Sequence, residues 1–325
     1  MGAMRRFTAL ALLFLLCAPT AGMAEVVLYS SNPPDLLDMV SHNFEKQSGI
    51  KVEVVRLGTG EAMKRISAES ANPLADIFWS GDVAVLEAAK ANFMPYESPE
   101  AKNLPEGYVA GDKRWTASNT QLMILMVNTK LVKPEEMPNT WADILSPQWK
   151  DKVVMADPAK SGSAYAQLYG VYKLYGQEGL ARLADNVRVL DSSSLIYKGT
   201  AEGEFAVGIT MEYAAYRYIA GGSTEVKIVY PSDGVFSAPE GAALVAGAKH
   251  EKDAKAFFDY LISKNVESEI FTKYYRRPAR LDAADVEGLP SSGALPLLKD
   301  FSTVEANALQ KELLSKWREL ILNKK

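Results

Sequence analysis

Apolar residues in this chain fall in short runs separated by small polar residues, and their spacing alternates between strand and helix. Residues 25–29 (EVVLY) predict a strand that stops at the breaker-rich Ser30-Ser31-Asn32-Pro33-Pro34. Leu37, Val40 and Phe44 then recur at helical spacing, and Gly49 is placed to end that helix. Residues 51–57 (KVEVVRL) predict a second strand, and Gly58-Thr59-Gly60 opens a helix through Met63 and Ile66. Residues 76–79 (DIFW) predict a third strand, stopping at Ser80-Gly81-Asp82. Such alternation builds a mainly parallel α/β sheet covered by helices, with ligands beyond the carboxyl ends of its strands. Here those ends are three small, hydroxyl-rich loops.

A second α/β unit follows. Residues 120–127 (TQLMILMV) and 153–156 predict strands, and Lys160-Ser161-Gly162-Ser163 leads into helices over 164–175 and 179–184. A strand over 187–190 stops at Asp191-Ser192-Ser193-Ser194, and one over 205–210 (FAVGIT) delivers Met211-Glu212-Tyr213. Residues 241–245 can carry the chain back to the first unit. Phe257, Leu261 and Ile270 share one stripe of a single long helix over 252–274, and a closing helix spans 303–322. The expected organisation is two α/β lobes: residues 25–118 with 238–325, and residues 119–237. The cleft between such lobes is a preferred ligand site.

Composition narrows the chemistry. Among 325 residues, 36 Lys+Arg face 40 Asp+Glu for a net charge of -4, so no basic surface invites nucleic acid. Two His and one Cys leave little material for a zinc site or a His-based triad. No GxSxG, HExxH, P-loop or CxxC occurs, and Gly58-Thr59-Gly60-Glu61-Ala62-Met63 lacks the third glycine of a dinucleotide loop. The chain is therefore read as a non-enzyme without a cofactor. Arg5 and Arg6 precede the apolar run 7–16 (FTALALLFLL), and small residues follow to Ala24. That is the pattern of a cleavable secretory signal peptide over 1–24, which places the mature chain in the periplasm. Cys17 follows Leu16, where a lipidation signal wants a small residue.

Several blocks carry a family resemblance. VVLYSS (26–31), FEKQSGIKVE (44–53), ADIFWSGD (75–82), MADPAKSGSAY (155–165), LDSSSLIYKGTAEGEFAVGITMEYAA (190–215) and YYRRPAR (274–280) stand in this order along the chain. The chain resembles the type 2 periplasmic solute-binding proteins of ABC importers, in the branch that holds ferric-ion, hexose-phosphate and phosphonate binders. The resemblance implies a two-lobed fold and a monomer that closes on a small anionic ligand. An ABC permease in the inner membrane is the implied partner.

It also implies site residues. A helix N-terminus presents unpaired N–H groups and partial positive charge, so the Ser161-Gly162-Ser163 turn is the first anion candidate; an ordinary N-cap is its plain alternative. Ser193 is the second. Ser30, Ser31, Thr59 and Gly60 would meet the ligand from the other lobe, although each suits a helix cap equally well. Arg277 is the chosen phosphate partner among Arg276, Arg277 and Arg280. Glu212, Tyr213 and Glu240 would accept hydrogen bonds from sugar hydroxyls or an ammonium group, with a surface turn as the alternative for Glu240. Ferric members place adjacent tyrosines after this strand, whereas here Met211-Glu212-Tyr213-Ala214-Ala215-Tyr216 has no Tyr-Tyr pair. Glu212, Tyr213 and Tyr216 form the alternative ferric set, since phenolate and carboxylate oxygens suit a hard ion. Trp79 is either core or a sugar-stacking ring.

Overall fold

The computed structural model describes residues 25–283 and 285–324, so the expected signal peptide and Cys17 lie outside the described residues. Strand β1 (Glu25–Ser30), helix α1 (Pro34–Ser48), strand β2 (Lys51–Arg56), helix α2 (Thr59–Ala68), strand β3 (Ile77–Asp82) and the short α3 (Val83–Ala88) follow the predicted alternation. β1 lies between β2 and β3 and is parallel to both. Gly49 ends α1 with φ 74°, a left-handed conformation that favours glycine. Val26 and Leu28 of β1 are buried with Leu37, Val40 and Phe44 of α1 in one apolar cluster. Period two on the strand and period 3.6 on the helix thus meet on the same core.

The second half contains β4 (Thr116–Asn128), α4 (Trp141–Ile144), β5 (Val153–Ala156), α5 (Gly162–Asn186) and β6 (Val187–Leu190). It continues through α6 (Ser193–Glu202), β7 (Val207–Met211), α7 (Glu212–Ala220), β8 (Val226–Val229) and β9 (Phe236–Leu244). The chain ends with α8 (Glu251–Leu261), α9 (Lys264–Tyr274), β10 (Arg277–Pro278) and α10 (Thr303–Leu322). One curled sheet runs in the order β2-β1-β3-β9-β4-β7-β5-β6, with β8 and β10 also paired to β4. Its ends are parallel and its middle, from β3 through β9 and β4 to β7, is antiparallel. β4 and β9 therefore belong to both halves: Glu240–Leu244 pairs with β3, while Met123–Val127 pairs with β7.

One helix differs from the sequence reading. The expected helix over 252–274 is two helices, because Ile262 closes α8 and Ser263 is extended (ψ 152°). Phe257, Leu261 and Ile270 still share one cluster, so the stripe holds although the helix does not run through. The two helices expected over 164–175 and 179–184 are present as the halves of α5, divided at Gly176 (φ 61°, ψ -156°). Helix α10, grouped with the first lobe by the sequence, packs against both α5 and α3. Its Leu313 and Trp317 enter the core of the second half. No helix among the described residues is long and apolar enough to cross a membrane.

Candidate functional site

A cleft of about 530 Å³ opens between the two halves of the sheet, at the carboxyl ends of the parallel strands. Its floor is the antiparallel ribbon of β4 and β9, represented by Gln121 and Glu240. One wall comes from the second half. Ser161 caps α5 by accepting a hydrogen bond from the Ala164 amide at 3.3 Å. The hydroxyls of Ser161, Ser163 and Ser193 form a closed triangle, at 2.8 Å (161–193), 3.0 Å (161–163) and 3.1 Å (163–193). Ser193 is the first residue of α6, whose cap residue Ser192 makes no side-chain capping bond. The starts of two helices therefore converge on three hydroxyl groups. Unpaired helix amides, the positive ends of two dipoles and three rotatable O–H donors can together hold a tetrahedral oxyanion.

The opposite wall comes from the first half. The Ser31 hydroxyl lies 2.9 Å from that of Thr59 and 3.0 Å from that of Ser80, and it donates to the Ser80 carbonyl at 2.8 Å. Ser80 has φ 94°, which a non-glycine residue rarely adopts, and it sits at an irregularity between β3 and β9. The bulge turns Ser80 toward Ser31 and Asp82 toward the cleft. Gly58, which precedes α2, supplies no side-chain cap, and Thr59 and Gly60 open the helix at the cleft edge.

Arg276 and Glu240 close the inner end. Arg276 Nη1 donates to Glu240 Oε2 at 2.8 Å, and Asn119 Nδ2 donates to the same oxygen at 2.9 Å. The guanidinium stacks over the Tyr213 ring at 4.4 Å and donates to its hydroxyl at 3.2 Å. Burial raises the Tyr213 phenol above its ordinary value, against the opposing pull of Arg276. Asp82 is partly buried on the first wall, and desolvation pushes its carboxyl up to about 7. The neighbouring negative charge of Glu240 adds to that rise, while the bond from the Ala84 amide opposes it.

Of the residues named from sequence, Ser31, Thr59, Gly60, Ser161, Gly162, Ser163, Ser193, Tyr213 and Glu240 line this cleft. Four named side chains do not. Ser30 is fully buried and donates to the Trp79 carbonyl at 2.7 Å, so it joins β1 to β3. Glu212 and Arg277 face away and hold each other in a buried two-point ion pair at 2.6 and 2.9 Å. Tyr230 donates to Glu212 at 2.6 Å on the same side. Tyr216 is committed to the Glu287 carbonyl at 3.0 Å and packs edge-on against Tyr275. The alternative set Glu212, Tyr213 and Tyr216 is therefore not assembled at one point, because only Tyr213 reaches the cleft. No cluster of three or more His, Cys, Asp or Glu suited to a metal ion occurs among the described residues.

Arg276 takes the place foreseen for Arg277. Adjacent residues of an extended segment point to opposite faces, and a run of basic residues does not say which one turns inward. Trp79 is core: it is buried and donates to Ser118 Oγ at 3.0 Å. Ser80, Asp82 and Gln121 were missed as site residues. The Ser80-Gly81-Asp82 loop was recognised as a strand end, but the bulge that aims its side chains depends on pairing with β9.

A curled α/β sheet with a polar cleft crossed by two shared strands defines a two-lobed solute-binding protein. Residues 72–300 match the family described as bacterial extracellular solute-binding protein, and the chain belongs to that family. Its members are solute-binding proteins, not enzymes. An uncharacterized protein of Haemophilus influenzae is 27% identical over 312 residues, covering 90% of this chain and 89% of the relative. The periplasmic binding protein AfuA of Actinobacillus pleuropneumoniae, solved with fructose-6-phosphate, superposes with a TM-score of 0.84 at 22% identity. That match covers 93% of this chain and 100% of AfuA. Iron-bound HitA of Pseudomonas aeruginosa gives a TM-score of 0.82 at 19% identity, over 91% of this chain and 99% of HitA.

Proposed function

We propose that this protein captures a small phosphate-bearing organic solute by closing its lobes over it, and delivers the solute to the permease of an ABC importer. The observation that carries the reading is the meeting of the α5 and α6 N-termini at the Ser161–Ser163–Ser193 hydroxyl triangle. Arg276 supports it as a buried cation lining the same cleft. The fructose-6-phosphate seen in AfuA, a protein of similar fold, agrees with this ligand class. The lobes divide near residues 118 and 238, with β4 and β9 as the ribbon that bends and α10 shared between them. Closure by such hinge strands is a common way to bury a ligand.

The test is a thermal-shift and calorimetric panel of inorganic phosphate, ethyl phosphate, glucose 6-phosphate, O-phosphoethanolamine and ferric citrate. A phosphate compound at 100 times its dissociation constant should stabilise the fold by about 2.7 kcal/mol through linkage. Stabilisation by ferric citrate alone, with a tyrosinate charge-transfer colour, would overturn the reading. Replacing Ser161 and Ser163 together by alanine should weaken phosphate binding about tenfold or more, since charge-assisted hydrogen bonds are lost.

A further inference from the structure

Of the five charged side chains that line the cleft, four are paired: Arg276 holds Glu240, and Lys160 holds Asp191 near the rim. The fifth is Asp82, at the end of β3, which makes no ion pair with any described residue. Its Oδ1 caps α3 by accepting from the Ala84 amide at 2.7 Å, while its Oδ2 accepts no hydrogen bond from the described residues.

Asp82 faces the first turn of α5: a Cβ built on Gly162 would lie 3.9 Å from the Asp82 Cβ. A phosphate seated on the hydroxyl triangle and the α5 amides therefore has this carboxyl beside it. An ionised carboxylate and a phosphate oxygen are both acceptors, so in contact they share no hydrogen and repel as like charges. Neither cation of the cleft is free to stand between them, since Lys160 and Arg276 already hold acids. A proton can join them: Oδ2–H donates to the phosphate while Oδ1 keeps the Ala84 amide. The surroundings favour that proton. Burial pushes the carboxyl up to about 7, the Ala84 amide of α3 opposes the rise, and Glu240 from β9 adds to it. Tyr165, the titratable group of α5 nearest to it, is a phenol that burial raises in turn. Gln121 of β4 and Gln310 of α10 line the same cleft without charge. A carboxylic acid kept neutral by its site is an effective donor to an oxyanion.

Resting on the phosphate reading above, we propose that Asp82 meets the bound phosphate group as a neutral carboxylic acid, its Oδ2–H donating to a phosphate oxygen, so that the solute and one proton are captured together. Where Asp82 is ionised before binding, the proton comes from solvent, and it returns there when the solute leaves. The hydroxyl triangle and the helix N-termini hold the phosphate from the second half, and Asp82 adds a donor from the first. The oxyanion is thereby bonded to both lobes at once.

The test is calorimetry with ethyl phosphate and glucose 6-phosphate on the wild type, Asp82→Asn and Asp82→Ala, from about pH 6 to about pH 9. Free phosphate monoesters are dianions above about pH 6, so a fall in affinity above about pH 7 reports the protein's proton and not the ligand's. Wild-type affinity should weaken about tenfold for each pH unit above about 7, the dependence of a one-proton uptake. Runs at about pH 8 in buffers of different ionisation enthalpy should count about one proton taken up per solute. Asp82→Asn keeps the capping acceptor and puts an N–H that cannot titrate in place of the acid's O–H. It should lose the slope and the proton uptake, and at about pH 8 bind more tightly than the wild type. Asp82→Ala should lose both as well, and bind about tenfold more weakly than Asp82→Asn, since the donor to a charged group is gone. A wild-type affinity that stays level above about pH 7 with no proton taken up would overturn the proposal, as would an unchanged slope in Asp82→Asn. Either result needs a bound phosphate compound and so leaves the phosphate reading standing. Failure of both compounds to bind the folded wild type at about pH 6 would remove the proposal and that reading together.

Discussion

At the scale of the residue, neighbouring side chains here do opposite work. Arg276 lines the cleft, whereas Arg277 is locked to Glu212 on the other face of the same segment. Breaking a buried ion pair leaves an uncompensated charge, so Glu212→Ala should cost about 3–5 kcal/mol, readable by urea unfolding. Glu212 and Arg277 looked like ligand contacts in the sequence because strand ends and basic runs do attract anions. Which face each side chain takes is settled by tertiary pairing, and no spacing within one segment encodes it.

Asp82 has a second readout at this scale. Its ordinary value is 3.8 and its value in the fold is about 7, so between those limits the folded chain keeps a proton that the unfolded chain has released. Asp82's own contribution to stability must then fall as pH rises from about 4 to about 7. Asp82→Asn should remove that contribution, seen as a melting temperature that rises relative to the wild type as pH increases over the interval. Besides burial, the dominant cause, the groups acting on Asp82 are the Ala84 amide and Glu240 from β9, and Asp82 adds a smaller rise to the Tyr165 phenol of α5, which burial raises most.

At the scale of the element, periodicity carried most of the information. The helical spacing of Leu37, Val40 and Phe44 and the apolar run of residues 120–127 were readable, because each element buries one clear face or lies wholly inside. The break between α8 and α9 was not, since Ile262 and Ser263 are neither glycine nor proline. Three of the first four residues of β4, Thr116, Ser118 and Asn119, are polar yet buried, so little hydrophobic signal marked them. One packing requirement can be tested directly. Gly170 of α5 lies against Phe236 of β9, and a Cβ there would fall 2.3 Å from the ring. That ring stacks on Trp141 with centroids 4.5 Å apart and cannot retreat freely. Gly170→Ala should therefore destabilise by about 1–3 kcal/mol despite the better helix propensity of alanine, visible as a lower melting temperature.

At the scale of the whole molecule, the sequence reached the two-unit organisation because strand–helix alternation is a local pattern. The antiparallel middle of the sheet and the bulge at Ser80 are long-range pairings, and they place half of the cleft wall. On the proposed reading, binding joins two bodies that otherwise move about the β4–β9 ribbon. A saturating phosphate ligand should reduce the radius of gyration in small-angle scattering, and Ser161→Ala with Ser163→Ala should abolish that contraction at the same ligand concentration.

The last helix sets the order in which this architecture is finished. Gln310 and Leu314 of α10 line the cleft, while Leu313 and Trp317 from the same helix anchor it in the interior. A chain synthesised amino end first can form both parallel ends of the sheet before residue 314 is made, yet it cannot complete the cleft. On the proposed reading, capture of a solute must wait until the chain is nearly whole, because an unfinished one lacks the wall that α10 supplies.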